Sequence, residues 1–384
     1  MKQKKAYKYR IYPTDEQASI LARTFGCCRF VYNWALRQRS DAFFQHGERL
    51  YYHQLAVLLT DLKKQEASAW LSEVSSVPLQ QALRHLDSAF RNFLEGRAEY
   101  PTFKKKHGVQ SASYASNLTL AKMETPLDIH WSRPLSKGCK PTTITISKDC
   151  AHRYFVSLLV EEDIKHLPVI NKQIGLDLGL KSMVITSDGH TYGNPQFFAR
   201  DEKKLAQAQR RHAKKKKGSK NRRRAQLQVA RIHARIADRR RDYQQKLSTK
   251  IIRENQVICV ESLSVKNMLQ NHTLAKAISD VGWSELVRQL EYKAKWYGRV
   301  LVKIDKFYPS SKRCCACGHI LESLPLAIRL WTCSECGAVH DRDLNAAKNV
   351  LAAGLAVSAS GEMVRPGRAK ARTGTSQRKR KPHS

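Results

Sequence analysis

Ile174-Gly-Leu-Asp-Leu-Gly-Leu180 is an apolar run carrying a single acid, Asp177. A buried strand reads this way, and a carboxylate inside one is costly unless the chain uses it. Working outward, residues 183–186 read as a second strand, with Asp188-Gly189 as the turn into Thr191-Tyr192. Val257-Ile-Cys-Val-Glu-Ser-Leu263 predicts another apolar strand, closed by Glu261. Residues 283–297 have the period of a long amphipathic helix, and 300–304 that of a further strand. A last helix is predicted over 345–355, after His340-Asp-Arg-Asp-Leu-Asn-Ala-Ala347.

Three strands, helix, strand, helix, strand, helix is the order of an RNase H-like α/β domain, although order alone does not fix a function. That fold would bring Asp177, Glu261 and Asp343 together. Carboxylates brought together repel and are pushed toward the neutral form unless a cation neutralises them. Hard divalent ions with oxygen ligands do this, and two of them suit in-line phosphodiester cleavage. Each acid alone also has an ordinary reading, Asp343 as a helix N-cap above all. Asp341 competes with Asp343 for the third place.

Cys314-x-x-Cys317-Gly and Cys333-x-x-Cys336-Gly make a matched pair of tight turns. Each aims two thiolates at one point, and the two together predict a closed, tetrahedral four-cysteine zinc site that staples the fold. A redox C-x-x-C would come singly. The remaining cysteines (27, 28, 139, 150, 259 and 315) are scattered, as expected of thiols in a reducing compartment.

The 384 residues carry 69 Lys/Arg against 33 Asp/Glu, a formal charge of +36. With 42% hydrophobic residues, two or three folded domains are expected rather than a disordered basic chain. A charge this large predicts a polyanionic partner, nucleic acid first. No apolar run approaches the roughly 20 residues of a membrane span. Residues 1–10 are basic but lead into no apolar signal core, so a cytoplasmic, nucleoid-associated protein is expected. Residues 200–253 hold 21 Lys/Arg and four acids, and Ile232, Ile236, Tyr243, Leu247 and Ile251 give them a helical stripe. Gly218-Ser219 marks the turn of a basic helical hairpin. Residues 363–384 hold eight Lys/Arg, no acid and no apolar period, as a disordered tail would.

In the first half, residues 4–12 alternate as a strand that Pro13 ends. Thr14 and Gln17 form a capping box opening a helix through Leu21, Phe25, Phe30 and Trp34. Helical pattern continues over 55–62 and 79–93, before a basic-aromatic knot at Tyr100-Pro-Thr-Phe-Lys-Lys-Lys106. Residues 142–147 and 153–160 read as strands around a turn. A β-barrel interrupted by a helical lobe is the simplest arrangement.

Several of these stretches together resemble the TnpB (OrfB) family, the transposon-encoded relatives of type V CRISPR effector nucleases. They are Gly175-Leu-Asp-Leu-Gly-Leu-Lys181, the Glu261 strand, Asp280-Val-Gly-Trp283, Gln289-Leu-Glu-Tyr-Lys-Ala-Lys-Trp-Tyr-Gly298, Ser310-Ser-Lys-Arg-Cys314 and residues 336–347. Phe30-Val-Tyr-Asn33 and the 101–106 knot are similar as well, and only 122–140 fits poorly. The resemblance implies an RNA-guided DNA endonuclease that takes a transposon-derived noncoding guide RNA and a double-stranded target bearing a short protein-read motif. It implies a wedge barrel (1–13 and 100–171), a helical recognition lobe (14–99), a RuvC-type nuclease domain (172–308 and 338–356), a zinc ribbon (309–337) and a basic tail (357–384). By position it makes Asp177, Glu261 and Asp343 the catalytic Mg²⁺ ligands, with Mn²⁺ as an alternative, and Cys314, Cys317, Cys333 and Cys336 the zinc ligands. Tyr52 and Gln80 resemble motif-reading positions. Lys104 and Lys105 in the knot, and Arg222, Arg223 and Arg224 in the hairpin, are candidate backbone contacts. A monomer is favoured. The alternatives are a DNA-binding transposition regulator without nuclease activity and a guide-free resolvase.

Overall fold

The computed structural model describes residues 2–115, 123, 125–135 and 138–359. In the first half the chain builds β1 (Lys2–Ile11), α1 (Asp15–His46), α2 (Tyr52–Lys64), a 3-10 segment (Glu66–Glu73) and α3 (Ser76–Leu94). Four strands follow, β2 (Gln110–Ala115), β3 (Ile129–His130), β4 (Pro141–Lys148) and β5 (Tyr154–Asp163). The capping box opens α1 as its residues dictate. Thr14 accepts from the Gln17 amide and the Gln17 side chain accepts from the Thr14 amide. The buried stripe of α1 runs through Leu21, Phe25, Cys28, Val31 and Ala35. Phe30 lies outside it, 37% exposed, with its ring edge-on to Trp70.

β1 pairs antiparallel with β5 along its whole length, from Lys2 opposite Asp163 to Ile11 opposite Tyr154. A strand at the start of the chain is thus completed by strands that follow the helices, which is why α1 to α3 form an insert. Tyr7, Tyr9 and Ile11 point into the core shared with the helices. The sheet order is β2-β4-β5-β1-β3. Where the sequence predicts a barrel, the described strands pair as an open sheet. One of its edges, β3, is two residues long and is held through Arg10–His130 and Ile11–Ile129.

The second half has β6 (Gln173–Asp177), β7 (Ser182–Thr186), β8 (Thr191–Gly193), then α4 (Phe197–Ala213) and α5 (Lys220–Glu254). β9 (Val257–Glu261), α6 (Val265–Met268), α7 (Ala275–Val281), α8 (Trp283–Tyr297) and β10 (Val300–Ile304) come next. The short pair β11 (Leu330–Thr332) and β12 (Val339–Asp341) leads into α9 (Arg342–Ala359). The main sheet is ordered β10-β9-β6-β7-β8. β6, β9 and β10 are mutually parallel, while β7 is antiparallel to both β6 and β8. The basic hairpin forms as its residues predict, with Gly218 in the left-handed region and the Ser219 hydroxyl capping α5. At 1.5 Å per residue α5 is about 50 Å long. Helix α9 continues to Ala359, and the rest of the tail expected over 357–384 lies outside the described residues. Among the described residues no helix is long and apolar enough to cross a membrane.

Two glycines seat α9 on the sheet. A Cβ at Gly175 in β6 would fall on the Ala347 carbonyl oxygen and come within 2.7 Å of the Leu351 amide nitrogen. A Cβ at Gly354 in α9 would lie 2.6 Å from the Cβ of Cys259 in β9. Helix and strands therefore approach closer than any side chain permits. This contact fixes where the first turn of α9 stands relative to the ends of β6 and β9.

Candidate active site and metal centre

Asp177 is the last residue of β6 and Glu261 the last of β9, at the same end of two parallel neighbours. Asp343 lies in the first turn of α9. The Asp177 carboxyl is pushed up to about 8, by burial first and then by the charges of Glu261 and Asp343, against the opposing pull of Arg342 and Arg329. Glu261 is also raised by burial, while the Ser310 hydroxyl donates to its Oε1 at 2.5 Å and partly offsets this. Asp177 and Glu261 thus end neighbouring strands with Asp343 near enough to act on Asp177 by charge, although the three carboxylates do not close to within 4.8 Å of one another. That all-oxygen donor set suits hard divalent cations.

Helix capping separates the two competing aspartates. Asp341 Oδ1 accepts from the amides of Asp343 and Leu344, at 3.1 and 2.8 Å, so Asp341 is the N-cap. The N-cap role assigned to Asp343 on sequence belongs to its neighbour. Asp343 is left with both carboxylate oxygens free of the helix, and Arg329 Nη1 holds them at 3.1 and 3.4 Å. A cleft of about 380 Å³ opens beside Glu261, lined among others by Ser264, Trp283, Arg288, Lys303 and Lys306.

The thiols form a different kind of cluster. Their four sulfurs lie within 4.8 Å of one another, and among the described residues no other His, Cys, Asp or Glu set of three or more does so. Sulfurs of opposite turns meet at 3.7 Å (Cys314 with Cys336) and 3.6 Å (Cys317 with Cys333). The two turns are alike. Gly318 and Gly337 both take the left-handed conformation and donate to Cys314 and Cys333. Such a set can hold one tetrahedral ion and leaves no position for a reactant. His340 sets a ring nitrogen 3.0 Å from the Cys314 sulfur and tilts against Trp331.

Sequence reasoning missed the residues that join these clusters. Asn345 and Asn349, buried on one face of α9, donate to the Arg313 carbonyl at 2.7 and 2.6 Å. Asn345 Oδ1 accepts from the Cys315 amide at 2.9 Å. The helix bearing Asp343 is therefore tied to the first cysteine turn, and Ser310 just before that turn reaches Glu261. The spacing of the two asparagines, four residues apart on a buried helix, is the signal that could have found them. Asp280 was also without a role. It accepts from the Phe198 and Ala199 amides and from Arg240 at 3.0 Å, capping α4 and pinning α5.

The candidate nucleic-acid residues divide. Tyr52 opens α2 under the Arg84 guanidinium, 5.0 Å from its ring, and Gln80 is exposed one turn earlier than Arg84 on α3. Asn33 and the Lys104 backbone exchange two hydrogen bonds, so the Phe30–Asn33 stretch and the knot meet. Lys104 Nζ rests 4.0 Å over the Tyr32 ring, and both Lys104 and Lys105 are exposed. Arg222 closes the hairpin by donating to the Lys215 carbonyl at 2.8 Å, while Arg223 and Arg224 face solvent.

Three family models match the chain. One described as a Cas12f1-like TNB domain covers 283–350, one described as a probable transposase (OrfB, IS605) covers 156–272, and one described as a helix-turn-helix domain covers 1–48. The last falls on a strand and a single helix, β1 and α1. A Streptomyces pristinaespiralis protein named "Putative RNA-guided DNA endonuclease" is 53% identical over 99% of this chain and 96% of its own length. The similarly named InsQ of Escherichia coli K12 is 32% identical over 96% of both chains. In fold, the chain is similar to a Cas12f1 protein solved in complex with sgRNA and target DNA. The TM-score is 0.55 at 14% identity, covering 91% of this chain and 98% of that one.

Proposed function

The chain belongs to the TnpB (OrfB) family of transposon-encoded proteins, and we propose that it is an RNA-guided DNA endonuclease. A guide RNA reads the target by base pairing, while the protein holds the heteroduplex through its backbone and shape. The observation that carries the proposal is the convergence of Asp177, Glu261 and Asp343 at one end of β6 and β9, with Asp177 pushed up to about 8. A sheet in which only β7 runs against its neighbours supports an RNase H-like, RuvC-type domain over 172–308 and 338–356. The pairing of β1 with β5 supports a wedge domain (1–13 and 100–171) around a recognition lobe (14–99), with the ribbon at 309–337.

Two divalent cations, Mg²⁺ or Mn²⁺, would activate the attacking water and neutralise the leaving oxygen. This chain's residues prepare that chemistry. Asp177 and Glu261 present carboxylates from rigid strand ends, and Ser310 fixes the orientation of Glu261. Asp177 gives up its proton once positive charge enters the corner. Arg329 balances the charge of Asp343, which would help to hold a cation. Cys314, Cys317, Cys333 and Cys336 would hold one Zn²⁺, a cross-link between two turns rather than a reaction centre. Asn345 and Asn349 pass the position of that cross-link to α9. The exposed cations of α4 and α5 would line the channel for nucleic acid.

Sequencing the RNA that copurifies with the chain tests this. One RNA species should be enriched, and with Mg²⁺ the chain should cut a DNA duplex matching that RNA's end and spare an unmatched duplex. Cutting that ignores the RNA sequence, or purification with no enriched RNA, would overturn it.

A further inference from the structure

Where α5 passes the outer face of β1 and β5, cations gather around one phenyl ring. Lys8 and Arg10 project from that face, opposite the core side of Tyr7, Tyr9 and Ile11. In the strand register Arg10 stands directly across from Phe155. Lys8 Nζ lies 4.1 Å from the Phe155 ring centroid, Arg10 Cζ 5.1 Å and Arg153 Cζ 5.4 Å. The exposed Tyr12 ring lies 5.4 Å from Arg10 on its other side.

The nearby acids are already engaged. Asp149 accepts from Arg153 at 2.7 Å, and Asp238 of α5 takes the other end of the same guanidinium, with Arg241 at 3.9 Å. Among the described residues neither Lys8 nor Arg10 has an ion-pair partner. Among the described residues Arg10 Nη1 is buried and has no hydrogen-bond acceptor. Burial, with Arg241 and Arg153 close by, holds the Lys8 ammonium below its usual range. A buried guanidinium nitrogen without an acceptor costs free energy, and like charges placed side by side add to that cost. The ring faces offset only part of it. An anionic acceptor reaching Lys8 and Arg10 would lower that cost.

We propose that Lys8 and Arg10, arranged over Phe155 with Arg241 of α5 close enough to act on Lys8 by charge, bind a phosphodiester of a nucleic-acid backbone where the first sheet meets the basic hairpin. The proposal rests on the reading that nucleic acid is the partner, and it adds where the backbone is gripped away from the carboxylates. A phosphate here would supply the acceptor that Arg10 lacks and tie two parts of the fold together through the bound strand.

The test is binding of a 40-nucleotide mixed-sequence RNA, and of a DNA duplex of the same sequence, across a salt series. Each single-strand phosphate contact contributes about 0.7 to the slope of log K against log salt, and each duplex contact about 0.9. For the Lys8→Gln/Arg10→Gln double variant the slope should fall by about 1.4 on RNA, or by about 1.8 on the duplex. The probe that responds identifies the strand gripped. Lys8→Arg with Arg10→Lys should restore the slope, which a purely structural role for the pair would not do. If the double variant melts early, Lys8→Gln alone should lower the slope by about 0.7. Unchanged slopes on both probes would overturn the proposal while leaving the endonuclease reading standing. A wild-type chain that binds neither probe would overturn both.

Discussion

The thiol cluster and the carboxylate cluster are both gatherings of like-charged ligands in one half of the molecule, yet they are built in opposite ways. Four sulfurs come from two matching turns and close within 4.8 Å of one another. Three carboxylates come from two strand ends and a helix, with a cleft of about 380 Å³ opening beside Glu261 and Arg329 as the partner of Asp343. A closed set has room for an ion and nothing else. An open set keeps positions for water and substrate. The difference separates a cross-link from a reaction centre, and each of the following changes should break one side of it.

Glu261→Gln should have the largest effect. It removes a charged oxygen but keeps the Ser310 hydrogen bond in reach, so cleavage should fall on the order of a thousandfold while zinc content stays at one per chain. Cys333→Ser should do the reverse first. Metal analysis should find the zinc gone, and the ribbon should melt at lower temperature, with cleavage lost only as a consequence. Retention of full thermal stability without zinc would show that the thiols staple nothing.

Gly175→Ala tests the link between the clusters. The added methyl would drive α9 off β6, at a cost of about 3 kcal/mol, read as a fall in melting temperature of roughly 10 °C for a domain of this size. An unchanged melting temperature would mean that helix and strand are not held in this contact.

A further test is pH dependence. An unfolded aspartate titrates near 3.9 and the Asp177 carboxyl at about 8. The folded state then binds more protons than the unfolded one between these values. In metal-free solution Asp177 should therefore make stability fall as pH rises from about 4 to about 8 and level off beyond. Asp177→Asn should flatten that part of the curve, and Mg²⁺ should flatten it in the wild type. A slope that survives both would place the source elsewhere.

The two clusters were also unequally legible. Cys-x-x-Cys-Gly is a local pattern, because one short turn fixes the direction of two thiols, and its duplication picked out all four thiols that the structure gathers. The strand-borne acids were found because a carboxylate in an apolar run stands out. The capping box at Thr14, the hairpin turn at Gly218 and the bounds of the helix at Trp283–Tyr297 were legible for the same local reason. What stayed hidden depends on distant parts of the chain meeting. Nothing near Asp343 announces that Arg329 will hold it. The choice between Asp341 and Asp343 rests on which side chain turns back to cap the helix. Arg222, chosen for its charge, serves the turn beside it, and the stripe on α1 shifted by one residue because Trp70 meets Phe30 from outside.

The central claim is that the open cluster cuts nucleic acid chosen by a bound RNA. Its most direct measurement is cleavage of the RNA-matched duplex in Mg²⁺ by wild-type and Asp177→Ala protein carrying equal amounts of RNA and zinc. The wild type should cut the matched duplex, and the variant should leave it intact with its RNA still bound. Undiminished cutting by Asp177→Ala would contradict the claim.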